Sequence, residues 1–222
     1  MKKMKYFLSI SLLFIILFNS YAQDDFEQNA KKAKEILDKV SAKTKSYSTI
    51  SADFTFSMEN LQEDISETNE GTILIKGDKY KVSLMGVETY FDGKAIYTYM
   101  KEAGEVNITE PDPEDEETLN PATIFTIYEK GFKYRYMGEK TGNGKTFYEI
   151  DLYPENRDKP YSRIKLRILK NDLTLYSLRQ VGKDGNNYTV VVKSMKTNIP
   201  LDDSTFIFDT AKHPDVDVID MR

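Results

Sequence analysis

The segment Ile50-Ser-Ala-Asp-Phe54-Thr-Phe56-Ser-Met58 alternates strictly between apolar and polar side chains. The apolar residues fall on one side and the polar ones on the other, which is the period of a β-strand buried on one face. Further short apolar runs follow as far as Ile108, and Asp92-Gly93 between two of them is a typical hairpin turn. This part of the sequence therefore predicts a meander of antiparallel strands with one apolar face.

A helical pattern precedes this meander, and further strand patterns follow it. Residues 26–45 place apolar side chains at steps of three and four, typical of a helix that packs on a sheet. The second half of the chain repeats alternating patterns, the last of them over residues 205–208. Between the halves, Asn120-Pro121 favours a helix start and Gly131 a helix end. Residues 122–130 are therefore predicted to form a short helix that acts as a lid.

The N-terminus has the features of a secretory signal peptide. Three lysines within residues 1–5 precede an apolar run from Tyr6 to Phe18, and Ser20-Tyr-Ala22 fits the small-residue cleavage rule. We therefore expect residues 1–22 to be removed and residues 23–222 to form one domain in the periplasm. The apolar run is too short to span a membrane. Because the chain contains no cysteine, it is not expected to carry a lipid anchor.

Composition and motif content exclude several classes of function. With 36 acidic residues against 31 basic ones, the chain has no electrostatic footprint for nucleic acid. The lack of cysteine removes disulfides, thiol catalysis and zinc–thiolate sites. The one histidine, His213, is expected at the surface, and the nucleophile-elbow, phosphate-loop and zinc-protease motifs are missing. No catalytic residue, metal or cofactor is therefore predicted, although a hydrolase with two facing carboxylates stays open because acid spacing depends on the fold.

A set of short sequence blocks gives a more specific signal. The blocks are Ala33-Lys-Glu-Ile-Leu-Asp-Lys-Val40, Ser51-Ala-Asp-Phe-Thr55, Gly71-Thr-Ile-Leu-Ile-Lys76, Phe91-Asp-Gly-Lys94, Asn120-Pro-Ala-Thr-Ile-Phe125 and Leu201-Asp-Asp-Ser-Thr-Phe-Ile-Phe208. In this order they resemble the periplasmic outer-membrane lipoprotein carrier family of the Lol pathway. The fifth block falls where that family has its lid helix. The resemblance covers nearly all of the chain after the predicted cleavage site.

The resemblance implies both a fold and a task. The fold is α+β and mainly antiparallel β: a half-open, incomplete β-barrel whose apolar concave face is covered by an N-terminal helix and a short lid helix. The task is that of a periplasmic chaperone, not an enzyme. It takes triacylated lipoproteins from an inner-membrane releasing complex and passes them to an outer-membrane acceptor. Such a carrier is expected to be a monomer. A lipid-sensing regulator or another lipid-binding half-barrel is the alternative.

Apolar residues of the predicted helices and strands are the candidates for a lipid-binding surface. They are Leu37, Phe54, Phe56, Leu74, Tyr80, Val82, Leu84, Phe91, Tyr97, Ile124, Phe125 and Ile127. The inward phase of residues 71–76 stays open, because Ile73, Leu74 and Ile75 are all apolar.

One position departs from the family pattern. In family members an arginine follows the Val/Ile-Lys pair of the early strand and holds the lid closed by hydrogen bonds. Here Ile75-Lys76 is followed by Gly77-Asp78-Lys79. The latch of this chain is therefore expected to be missing or to use other residues.

Overall fold

One large sheet with a helix packed against it makes up the fold. A computed structural model describes residues 26–111 and 124–222, so the predicted signal peptide lies outside the described residues. Helix α1 covers residues 26–45, as the sequence periodicity predicts. The strands are β1 (Ile50–Asn60), β2 (Ile65–Lys76), β3 (Lys79–Leu84), β4 (Val87–Phe91), β5 (Ile96–Met100), β6 (Glu105–Thr109), β7 (Phe132–Gly142), β8 (Lys145–Pro154), β9 (Tyr161–Leu169), β10 (Leu175–Gly182), β11 (Asn187–Thr197) and β12 (Asp217–Asp220).

The strands form one sheet that does not close on itself. Their order is β12-β6-β5-β4-β3-β2-β1-β11-β10-β9-β8-β7. Every neighbouring pair is antiparallel except β12 and β6, which run parallel. Because β12 and β7 remain as two separate edges, the sheet is an open half-barrel. The predicted fold class is thereby confirmed.

The register of β1 against β2 fixes which side of residues 71–76 faces the core. Ile50 and Ala52 are buried and pair directly with Ile75 and Ile73. Directly paired residues of antiparallel strands project from the same face of the sheet. Ile73 and Ile75 therefore lie on the concave face, and Leu74 lies on the convex face.

Helix α1 covers one end of the concave face through a single apolar stripe. The buried side chains of this stripe are Ala33, Ile36, Leu37 and Val40. They belong to the same core cluster as Ile50 and Ile75 at the start of β1 and the end of β2. Burying one such aliphatic side chain is worth roughly 1.5–3 kcal/mol, so this stripe is enough to hold the helix on the sheet.

The lid segment (residues 124–131) differs in type from the predicted helix. The lid segment is a turn followed by one turn of 3-10 helix, Ile127–Glu129. The predicted helix start at Asn120-Pro121 lies outside the described residues. Phe125 and Tyr128 are both buried. Both rings belong to the core cluster on the concave face, so both side chains pack toward the sheet.

The C-terminal strap (residues 198–222) covers part of the convex face. Tyr90 and Tyr99 project from that face, and the ring of Phe208 packs on them at centroid distances of 5.9 and 5.0 Å. His213, expected at the surface, is partly buried because it stacks on Phe208 at 4.8 Å. The strap then adds β12 beside β6. The first half of the sheet is thus covered on both faces.

The start of the strap corrects a second sequence prediction. Residues 205–208 are predicted as a strand, but Asp203–Phe206 form a 3-10 helix. The side-chain amines of Lys76 and Lys79 bind the Asp203 carboxylate at 2.8 and 2.9 Å and hold the chain at this turn. The two ion pairs lower the pKa of Asp203 to about 2 through the hydrogen bonds they contain.

Gly71 is a tightly packed backbone position on the concave face. A Cβ atom added there would lie 2.5 Å from Cζ of Phe54, which is below any normal contact distance. We expect Gly71→Ala to lower the free energy of unfolding by about 1–3 kcal/mol, because the Phe54 ring must leave its position. Urea denaturation measures this change.

Gly142→Ala in β7 is the matched control, since a Cβ there meets nothing within 4 Å. The double variant Gly71→Ala/Phe54→Leu should recover part of the loss, because the shorter side chain frees the space. Equal stability of the two single variants would contradict the proposed clash.

Candidate functional site

An apolar cavity of about 170 Å³ lies between the concave face and the lid segment. It is lined by Ala52, Phe54, Phe56, Ile73, Val82, Leu84, Ile124, Phe125, Leu175, Ser177, Leu178, Val190 and Val192. Among the residues that the structure describes, Ser177 is the one polar residue of this lining and none is charged. The described lining therefore suits hydrocarbon and offers no group for acid–base chemistry.

Strands from both halves of the sheet supply the walls of the cavity. Phe54 and Phe56 project inward from β1 at every second position. Opposite β11, the register of β1 shifts between Asp53 and Phe54, which marks a β-bulge. A bulge bends its strand and increases the local twist, so the sheet curves at the cavity. On the convex side, the hydroxyl of Ser194 donates a hydrogen bond to Asp53 across the bulge at 2.6 Å.

Six of the predicted site residues meet in this cavity. They are Phe54, Phe56, Val82, Leu84, Ile124 and Phe125. Four others lie in the surrounding core and do not reach the cavity: Leu37, Tyr80, Phe91 and Ile127. Tyr80 packs its ring against Phe91 at 5.5 Å. These four support the walls but do not form them.

Two predicted site residues lie on the opposite face of the sheet, so their prediction as cavity residues is wrong. The register described above places Leu74 on the convex side. Tyr97 packs against the cluster of Tyr90, Tyr99 and Phe208 under the strap. Its hydroxyl donates a hydrogen bond to the Asp92 carboxylate at 3.3 Å. The cause in both cases is strand phase, because neighbouring residues of a strand alternate between faces.

Sequence reasoning missed the wall that β10 and β11 provide. Its residues are Leu175, Ser177, Leu178, Val190 and Val192. The sequence predicts a strand at β11. However, Val190-Val-Val192 is a continuous apolar run, so the sequence does not show which of these side chains face inward. Only the pairing of β11 with β1 decides this phase.

The lid segment is held from two sides. From α1, the Lys45 amine binds the Glu129 carboxylate at 2.8 Å, and the Ser41 hydroxyl also donates to it. From β7, the Tyr134 hydroxyl donates to the backbone carbonyl of Tyr128 at 2.8 Å. We call Lys45, Ser41 and Glu129 the lid latch. Residues 77–79 lack the arginine that the family resemblance led us to expect as a latch. In this chain, contacts from α1 and β7 hold the lid segment instead.

The electrostatics of the latch favour a charged Glu129. Partial burial alone would raise the pKa of Glu129, but hydrogen bonds from Lys45 and Ser41 outweigh it and lower that pKa below its ordinary value. The pKa of the Tyr128 hydroxyl is raised, chiefly by burial, so this side chain stays neutral. The lid segment therefore carries one ion pair at its rim and neutral rings beneath it.

The described part of the chain shows neither a metal-binding cluster nor a membrane-spanning helix. Residues 26–111 and 124–222 contain no group of three acidic or histidine side chains arranged to hold a metal ion. Within the same residues, no helix is long and apolar enough to span a membrane.

Comparisons with known proteins give one match at the level of sequence. Residues 23–177 match the family model described as outer membrane lipoprotein carrier protein LolA. No curated protein sequence matches the chain.

Two solved structures with TM-scores above 0.5 share the fold at low sequence identity. An uncharacterized conserved protein from Thermus thermophilus has a TM-score of 0.56 and 14% identity, over 85% of this chain and 99% of that one. A DUF1329 family protein from Desulfovibrio piger has a TM-score of 0.51 and 11% identity, over 83% and 99%. A putative outer membrane lipoprotein-sorting protein domain from Vibrio parahaemolyticus has a TM-score of 0.46 and 11% identity, over 80% and 97%.

Removing the charge of Glu129 should loosen the lid segment. Glu129→Gln loses the ion pair with Lys45, and a partly exposed ion pair contributes up to about 1 kcal/mol. We expect amide hydrogen exchange in residues 124–131 to accelerate by up to about fivefold, with the rest of the sheet unchanged. Glu35→Gln, at an exposed position of α1, is the control. Equal lid exchange in the two variants would refute the latch.

The latch should also weaken in acid. Because the pKa of Glu129 is lowered in the folded chain, its contribution is complete above the unfolded pKa and is lost as pH falls through the folded pKa. The difference in lid exchange between the natural chain and Glu129→Gln should be full at pH 7, begin to shrink as the pH falls past the ordinary glutamate pKa of about 4.3, and vanish once the pH is below the lowered folded pKa. A difference that persists unchanged in acid would show that the charge of Glu129 is not responsible.

Proposed function

The chain belongs to the outer membrane lipoprotein carrier family, and on that premise we propose that it binds acyl chains of lipoproteins in the cavity beneath the lid segment and carries them through the periplasm to the outer membrane. The observation that carries this proposal is the uncharged, almost wholly apolar lining of the cavity. Catalysis would require polar groups in the cavity lining, whereas shielding hydrocarbon from water requires none.

The energetic demand on such a carrier is large. Each methylene kept out of water is worth about 0.8 kcal/mol, so one long acyl chain exposed in water costs on the order of 10 kcal/mol. A protein that moves acyl chains through water must replace the membrane by an apolar surface of similar extent. The concave face between α1 and the lid segment supplies a surface of this kind.

The volume of the cavity implies that the lid segment must move. Pockets for small-molecule ligands measure roughly 300–1,000 Å³, whereas this cavity measures about 170 Å³. With the lid in place, it accommodates part of one acyl chain. A cargo with several chains requires the lid segment to swing away, which would expose Val82 and Leu84 as well as the β10–β11 wall.

The contacts of the lid segment are weak enough for a lipid to displace them. The latch ion pair and the hydrogen bond from Tyr134 contribute about 1 kcal/mol each. Burial of Phe125 and Tyr128 adds roughly 1.5–3 kcal/mol for each ring. Their sum stays below the gain from shielding one long acyl chain, so the cargo itself can drive opening.

Partners must supply the direction of transport. The sequence contains no phosphate-binding loop, so we propose that an inner-membrane releasing complex loads the chain and that an outer-membrane acceptor binds the cargo more tightly. The carboxylate-pair hydrolase left open by the sequence finds no support in this cavity, since no acidic residue within residues 26–111 and 124–222 lines it.

The direct test of this function is the lipid content of the exported protein. Protein purified from the periplasm should carry lipoprotein or other acyl lipids, detected by native mass spectrometry. It should also release lipoproteins from membranes that contain the releasing complex. Absence of bound lipid together with failure in the release assay would overturn the proposal.

A matched pair of substitutions tests which face of the sheet binds lipid. Leu84 lines the cavity, while Leu74 lies on the convex face, and both side chains are partly buried. Leu84→Gln should weaken the binding of a fluorescent fatty acid at least about tenfold, because an amide would be buried against hydrocarbon without a partner. Leu74→Gln should leave binding unchanged. Equal effects of the two substitutions would contradict the assignment of the cavity.

A further inference from the structure

Beyond the apolar cavity, the concave face continues into a row of paired residues, Met58, Tyr188, Gln180 and Ile164. We call it the polar row, because Tyr188 and Gln180 bring polar groups to this face. Tyr188 of β11 pairs directly with Met58 on one side and with Gln180 of β10 on the other. Gln180 in turn pairs with Ile164, which is fully buried in the core. Since directly paired residues share a face, this row projects into the concave side of the sheet.

The polar row adjoins the cavity. Gln180 follows Leu178 by two positions along β10, and Leu178 lines the cavity. Two residues of a strand span about 6.8 Å, so a ligand in the cavity needs only a few atoms to reach Gln180. On the neighbouring strands, Phe56 of the cavity stacks on Tyr188 at 6.0 Å. The polar row thus lies next to the residues that line the cavity.

Gln180 carries an unused hydrogen-bond acceptor. Its side-chain oxygen Oε1 is shielded from solvent and has no hydrogen-bond partner among the described residues. A buried acceptor without a donor costs free energy, and such groups in native proteins call for an explanation. A donor brought in by a ligand would remove this cost, and the position next to the cavity is where a ligand would bring it.

The unpartnered acceptor limits the kind of ligand head group. An ionised carboxylate only accepts hydrogen bonds, so it cannot satisfy Oε1 of Gln180 and would place a second acceptor against it. The Gln180 amide carries no charge that would pair with an anion. The row therefore favours a neutral head group over the carboxylate of a free fatty acid.

We infer that Gln180 forms a polar subsite that accepts a hydrogen bond from the first N–H or O–H group attached to the acyl chain. The ligand class is then an acyl chain with a neutral, donor-bearing head, such as an N-acyl amide. This inference rests on the proposed function, because it assumes that an acyl chain occupies the cavity. It adds a selection among acyl ligands that the apolar lining alone cannot make.

Two amides that differ in a single donor test the subsite. N-methylhexadecanamide has one N–H group, whereas N,N-dimethylhexadecanamide has the same acyl chain and carbonyl but no donor. Their affinities are compared by displacement of a fluorescent fatty acid from the full chain. We expect the first amide to bind about tenfold more tightly, which is within the range for a buried hydrogen bond that is made or left unmade.

Gln180→Met assigns the preference to the side chain. Methionine has a similar shape and lacks the amide oxygen, so the preference should vanish while the dimethyl amide binds as before. Gln62→Met, in the exposed turn between β1 and β2, should keep the preference. Thermal unfolding should show that Gln180→Met is at least as stable as the natural chain, because an unpartnered buried oxygen is removed.

The outcomes separate the two proposals. If the natural chain binds both amides equally well, or if Gln180→Met keeps the preference, the subsite is overturned while the carrier function stands. If the natural chain binds neither the amides nor the fluorescent fatty acid, the proposed function itself fails.

Discussion

The pairing of β1 with β11 is the interaction on which the rest of the structure depends. It joins the meander β1–β6 to the meander β7–β11, and its partners Asp53 and Ser194 are 141 residues apart in the sequence. Without it, the chain would form two smaller sheets, each with an uncovered apolar face. With it, Phe54 and Val82 of the first half face Leu178 and Val190 of the second across one cavity. The cavity is therefore a product of the longest-range strand pairing in the sheet.

Closing the cavity and opening it make opposite demands on the lid segment. Phe125 and Tyr128 are buried deeply enough to exclude water, while the latch uses a carboxylate and an amine near the surface. A buried salt bridge would have a high cost when one partner leaves, whereas a partly exposed one exchanges its partner for water. Placing the charges at the rim and the rings beneath keeps the lid closed without making its opening slow. The segment Gly77-Asp78-Lys79 lies where the family resemblance predicts an arginine latch. Here Lys79 forms an ion pair with Asp203 and so holds the strap.

The sequence was sufficient where structure follows from local patterns. Residues 26–45 form the predicted helix, and Asp92 caps the predicted hairpin by accepting hydrogen bonds from the backbone amides of Lys94 and Ala95. It was insufficient where tertiary contacts decide. The phase of residues 71–76 depends on Gly71 making room for Phe54. Strand β12 has four exposed residues and a partner far away in the chain, so no periodicity predicts it.

The same distinction applies to the candidate site. Four of its residues could be predicted because alternation in β1 and β3 marks an inward face, and Ile124 and Phe125 could be predicted as apolar residues of the lid segment. The β10–β11 wall and the polar row at Gln180 follow only from cross-strand register.

The position of β11 has a consequence for how the family signature relates to folding. The matched segment ends at residue 177, within β10, and therefore excludes β11 and the strap. A chain that stopped there would leave β1 without its partner β11, would cut β10 after Ser177 and would lose one wall of the cavity. We therefore expect that the part of the sequence that identifies the family does not fold on its own. Its stability depends on 45 further residues that the signature does not describe.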